Sequence, residues 1–160
     1  MAVDVIGDVA VTMFARRGVH CTHLDTHVLV LRDGQWVMLG GGGGTTDQDP
    51  LAVRALQLPS WPGVRRGAEI GADARIMVVD GGGGVHDSGG KADRWPWSGR
   101  WISYAIVRVS GQVAVLRTAD RELLVPWHGR VLVAWTGRPR PRVVAYDEPG
   151  HALAEAILTP

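Results

Sequence analysis

Apolar residues in the last third of the chain come in short runs broken by turn formers. Trp101–Val109, Gln112–Arg117, Glu122–Val125, Arg130–Trp135 and Arg142–Tyr146 are each of strand length and rich in β-branched residues or tryptophan. Turns recur about every ten residues, the spacing of an antiparallel sandwich or barrel. Within Arg130–Trp135, Val131, Val133 and Trp135 alternate with Arg130, Leu132 and Ala134. Apolar atoms therefore fall on both faces, which predicts a central strand buried on both sides. The expected fold is all-β, an antiparallel β-sandwich with long Gly-rich loops, with a closed β-barrel as the alternative.

Upstream the pattern is mixed. Val3–Phe14 fits a strand or a frayed amphipathic segment. His27–Arg32 and Gln35–Leu39 flank Asp33-Gly34, both of which tolerate the positive φ of a type I′ turn, so a hairpin is expected. The pentaglycine run Gly40–Gly44, followed by polar Thr45–Asp49, is costly to order; it reads as a mobile loop or as backbone that passes close to something else. Asp49 before Pro50 has the form of an N-cap and a first helical residue, which gives a short helix over Leu51–Gln57. Pro59–Gly71 is turn-rich and Ala74–Val79 adds a strand. Asp80–Arg100 reads as a long glycine-rich loop, the natural place to look for chemistry. Tyr146–Leu158 turns at Glu148-Pro149-Gly150 and ends in an edge strand or a short helix.

Composition narrows the function classes. A chain of 160 residues is long enough for one domain, residues 1–160, with its own core. Seventeen basic and 16 acidic groups leave a net charge of +1, and the arginines are scattered. Nucleic-acid binding lacks its electrostatic footprint beyond the pairs Arg16-Arg17 and Arg65-Arg66. One cysteine, Cys21, cannot form an internal disulfide, which fits a reducing compartment. Asp4 and Asp8 interrupt the first apolar stretch, unlike a secretory signal, and no run is long enough to span a bilayer. A soluble, cytoplasmic protein is expected. The bias towards Arg, Ala, Gly and Val, with a single lysine, suits a high-GC coding sequence.

Two resemblances bear on function. Thr118–Leu153, with its charged turn, the Pro126–Trp135 strand entry and the Arg142–Gly150 hairpin, resembles the closing strands of a bacterial immunoglobulin-like sandwich, which implies a fold and no chemistry. His86-Asp87-Ser88-Gly89-Gly90 is similar to the Gly-Asp-Ser-Gly-Gly of chymotrypsin-like serine proteases, and Val19-His20-Cys21 to that family's Ala-His-Cys. The likeness implies Ser88 as nucleophile, His20 as base and Asp47 or Asp49 as the orienting carboxylate. It departs from the family at His86, which replaces a glycine of the oxyanion hole. The interval from His20 to Ser88 is also too short to finish one barrel and begin a second. A P-loop is excluded: Val85 takes the place of its first glycine and Ala92 that of its magnesium-binding hydroxyl.

The remaining candidates are ligands and rings. His20, Cys21, His23 and His27 form the densest set of soft ligands, and Cys21 with His23 would share one strand face, the minimal start of a metal site. Asp47, Asp49, Asp80 and Asp87 are loop carboxylates that could gather around calcium. Seven tryptophans stand against two tyrosines and one phenylalanine. Trp36, Trp127 and Trp135 lie in or beside strands and read as core. Trp61, Trp95 and Trp97 lie in turn-rich segments, where a flat ring with one N–H donor suits a protein partner or a sugar face. Trp101 begins a strand and reads as core. The expectation is a non-catalytic binding or protein-interaction module, without a cofactor, for a protein or carbohydrate ligand held by Trp95, Trp97 and Trp61. The alternatives are a small serine hydrolase using Ser88, His20 and Asp49, and a metal-binding protein using Cys21 and His23.

Overall fold

The computed structural model describes residues 1–46, 49–59, 75–89 and 99–159. Eleven strands, and no helix, occur among them: β1 Ala2–Ile6, β2 Val9–Arg17, β3 Thr22–Arg32, β4 Gln35–Thr46, β5 Met77–Asp87, β6 Arg100–Val109, β7 Val115–Arg117, β8 Glu122–Leu124, β9 Arg130–Thr136, β10 Arg142–Tyr146 and β11 Ala152–Ile157. All pairings are antiparallel. They make a first sheet ordered β1-β2-β3-β4, a middle sheet β5-β6-β9 and a third sheet β11-β10-β7-β8. None of the three closes on itself, so the closed barrel is not formed.

The middle sheet carries a core on each face. Side chains alternate along a strand, so Ile102, Tyr104, Leu132 and Ala134 face the first sheet and meet Val11 and Val28. Ala105, Val107, Val131 and Val133 face the third sheet and meet Leu116 and Val143. Residues 130–135 of β9 are all buried, as the two-faced alternation predicts. By hydrogen bonding, however, β6 is the middle strand and β9 lies at the edge of its sheet.

That edge is closed by side chains. The buried Asp4 carboxylate of β1 accepts the Ala134 N–H at 2.6 Å, and Arg121, from the β7–β8 turn, donates to the Ala134 carbonyl at 2.8 Å. Arg121 also grips Asp4 with both terminal nitrogens. A carboxylate and a guanidinium here do for β9 what a neighbouring strand would do. A second device lies at the far end of β9. Arg108 and Arg130 stand directly opposite each other, a repulsive pairing of like charges. The register of β5 slips between Val79 and Gly81, and the carboxylate of the intervening Asp80 lies 3.4 Å from Arg108 and 3.6 Å from Arg130.

The local expectations divide. Asp33 and Gly34 adopt φ of 49° and 78° between β3 and β4, the expected hairpin. Val3–Phe14 is two strands joined at Gly7-Asp8, and the C-terminal segment is an edge strand. Leu51–Gln57 forms no helix. Gly40–Gly44 belongs to β4 and Gly81–Gly84 to β5, so neither run is a loop, and the expected 80–100 loop loses its first half to β5. Close approach explains both runs. A methyl on Gly42 or Gly83 would lie 3.1 or 3.0 Å from the Tyr104 hydroxyl, which is itself bonded to Thr26 Oγ1 at 2.8 Å. Trp36 and Trp127, expected as core, are 46% and 57% exposed.

Leu132 is 2% exposed in one core and Leu116 fully buried in the other. Replacing either with Ala is expected to cost about 2–5 kcal/mol in urea unfolding, the range for emptying a leucine site. An effect confined to Leu132→Ala would show that the third sheet contributes little to the cooperative unit.

Candidate functional site

A groove of about 550 Å³ opens where β6 begins and β9 ends, lined by Gly99, Arg100, Trp101, Ser103, Trp135, Gly137, Arg138 and Arg140. Strand register builds its floor. Ser103 of β6 stands opposite Trp135 of β9, and Trp101 lies two residues along the same face. The Trp101 ring folds over β5: a methyl on Gly84 would lie 2.6 Å from its Nε1, and the His86 ring centroid is 6.1 Å away. Trp101 remains 49% exposed, so it begins a strand as expected but is not core. Trp135 is 8% exposed and forms the inner wall. Ser103 is 2% exposed, and among the described residues its hydroxyl has no hydrogen-bond partner.

Three arginines rim the groove in two different states. Arg100 is tied down, with both terminal nitrogens on Asp8 and its Nε 3.4 Å from Asp87. Asp87 also accepts from Arg32 and from the Gly89 N–H at 2.9 Å. Burial opposes charge on Asp87, but Gly89, Arg32 and Arg100 together outweigh it and hold the carboxyl below the usual range. The Arg100 hydrogen bonds hold Asp8 low as well, while Asp8 raises Arg100. Two aspartates thus balance Arg32 and Arg100. Arg138 and Arg140, on the turn after β9, are exposed and have no ion pair among the described residues. Theirs is the charge at the groove that no described residue compensates.

The sequence-predicted residues fare unevenly. Trp61, Trp95, Trp97 and Asp47 lie outside the described residues. Asp87-Ser88-Gly89 forms an Asx turn in which the carboxylate takes the Gly89 N–H, ordinary turn chemistry joined to an ion-pair hub. Ser88 follows Asp87, which meets Arg32 at the end of β3, whereas His20 sits in the turn before β3 begins. An 11-residue strand spans roughly 35 Å, so nucleophile and base stand at opposite ends of it and no relay forms. Asp49 caps its own turn through the Leu51 N–H at 2.9 Å, beside Pro50, whose carbonyl accepts from Arg130. That is the Asp80 end of β5, away from Ser88. Cys21 Sγ and His23 Nε2 do approach, to 3.8 Å. Among the described residues, however, no group of three His, Cys, Asp or Glu side chains forms a metal cage.

Arg100, Ser103, Arg138 and Arg140 were not singled out from the sequence. The signal for the last two was the Gly137-Arg138-Pro139-Arg140-Pro141 turn, where prolines stiffen a doubly basic loop. Compared with known protein families, curated proteins and solved structures, the chain shows no match.

A depressed carboxylate pKa stabilises the fold above the unfolded value and loses that contribution as pH falls through the folded one. Stability is therefore expected to drop steeply below about pH 4, where free aspartate protonates. Asp87→Asn should cost about 1.5–3 kcal/mol at neutral pH, the range for hydrogen bonds to a charged group. Its pH profile, followed by urea unfolding, should be flatter below pH 4 than that of the wild type. An equally steep profile would assign the acid sensitivity to other carboxylates.

Proposed function

We propose that this chain is a non-catalytic binding module whose groove takes an anionic carbohydrate. The observation that carries the reading is the convergence of Trp101, Ser103 and Trp135 beneath Arg138 and Arg140, which have no ion pair among the described residues. Each part answers one feature of such a ligand. A half-exposed indole offers a flat apolar face to a pyranose ring, and the Ser103 hydroxyl, without a partner among the described residues, can both donate and accept, as sugar hydroxyls require. The guanidinium groups pair with a carboxylate or phosphate in bidentate fashion. The volume falls within the ordinary range of small-ligand sites. A cytoplasmic setting belongs to the same proposal and rests on the lone Cys21 and the lack of any other thiol. So does a sandwich-type stacking of the sheets, which the two apolar clusters support.

Calorimetric titration of a uronic-acid oligosaccharide against its carboxyl-reduced, neutral counterpart tests the reading. Only the acidic sugar should bind, with affinity falling as salt rises. Trp101→Ala and Arg138→Ala should each weaken it about tenfold, the equivalent of about 1.4 kcal/mol. Gly84→Ala, which displaces the indole without removing it, should weaken binding while leaving the far-UV spectrum unchanged. Equal affinity for both sugars, or no binding of either, would sink the proposal. Fluorophosphonate labelling of Ser88 would favour the hydrolase instead.

A further inference from the structure

The outer face of the first sheet is written like a core. Register puts Val3 and Val5 of β1, Phe14 of β2, Leu31 of β3 and Trp36 and Met38 of β4 on the side opposite the shared core. Their exposures run from 39% for Phe14 and Leu31 to 62% for Met38. Together they leave on the order of 600 Å² of apolar surface in water, the upper end of what a monomer displays.

The third sheet shows how this chain writes a face meant for solvent. Its outer side carries Arg117, Glu122, Arg142 and Glu155, which pair across neighbouring strands as Arg117–Glu122 and Arg142–Glu155. On the first sheet's outer side the strands carry one cation and one anion, Arg16 and Asp25, already paired at 3.2 Å and gathered at one end. At the other end the outward-facing strand positions carry no charged side chain, and the nearest charges, Asp8 and Asp33, sit in the turns that close β1–β2 and β3–β4.

We infer that this face is the interface of a homodimer, with the first sheets of two copies stacked face to face about a two-fold axis. An apolar sheet face whose only ion pair lies at one end is best covered by another of the same kind, and this molecule presents one. An axis through the apolar end sets Val5, Leu31, Trp36 and Met38 against their own copies. It leaves each Arg16–Asp25 pair in the solvated rim, so no like charges are brought together. With the flanking Thr12, His27 and Leu29, each copy contributes close to the ~800 Å² of a standard interface. Stacked sheets are also how this chain already buries both faces of its middle sheet.

Sedimentation velocity is the direct test. The wild type should move as a dimer at about 100 µM, where a micromolar contact is saturated, and dissociate on dilution. Met38→Glu and Val5→Glu, each burying an unpaired charge, should raise the dissociation constant at least about tenfold with an unchanged far-UV spectrum. Hydroxyl-radical footprinting of the wild type removes any dependence on how the variants fold: Met38 and Trp36 should be shielded at high concentration and open at low. A wild type that stays monomeric throughout overturns the inference. So does a dimer in which Met38 and Trp36 remain fully open, or one that forms equally well in folded Met38→Glu.

Discussion

Burial of the middle sheet on both faces is the constraint from which the other features follow. A strand with apolar neighbours above and below has no water to satisfy its main chain, so every N–H and C=O of β6 and β9 needs a partner in the plane of the sheet. β6 has strands on both sides, and β9 has only one. Asp4 and Arg121 supply the missing partners at Ala134. The two residues come from the first strand of one outer sheet and from a turn of the other. One ion pair thereby ties all three sheets at the point where an open edge would be most costly. Such a pair adds little net stability against a well-packed apolar substitute, but losing one partner leaves a buried charge.

The same constraint accounts for the glycines. Tyr104 projects from the middle sheet towards the first, and its hydroxyl finds a partner in Thr26 only where β4 and β5 come close enough to enclose it. Side chains on Gly42 and Gly83 would hold those strands apart. Two runs that are entropically expensive to order are therefore kept as strands because their bareness admits a polar group that the core must satisfy.

Much of the fold was legible because burial writes itself as a period of two. β6, β9 and β10 announced themselves through β-branched alternation, and the β3–β4 turn through Asp33-Gly34. Where glycine replaces side chains there is no alternation to read, so half of β4 and most of β5 looked like loops. The short helix over residues 51–57 failed for a related reason: a cap and a first-turn proline mark where a helix can start, but no apolar stripe followed to hold one down. Trp36 and Trp127 were assigned to the core on residue type alone, and a tryptophan beside a strand has two faces to choose from. The site was less legible still. Serine, histidine and glycine motifs drew attention to residues 86–90, yet adjacency in sequence says nothing about the length of β3, which separates His20 from Ser88.

What the sequence could not convey is where one sheet outruns another. Trp101 and Ser103 lie on the same face of β6 as Ala105 and Val107, with nothing in the alternation to distinguish them. The core shared with the third sheet includes Ala105 and Val107 but neither Trp101 nor Ser103. The burial ends at Trp101, and a strand pattern that would ordinarily bury an indole leaves this one half exposed over a groove floored by the buried Ser103 and Trp135. The turn after β9 then decides the groove's character. Its prolines stiffen a backbone that has just left the sheet, and its two arginines find no carboxylate among the described residues, while Asp8 and Asp87 are engaged by Arg32 and Arg100. A balanced ion-pair network lies on one side of Trp101, and on the other stand two cations that no described carboxylate pairs; this asymmetry is what the proposed anionic ligand rests on.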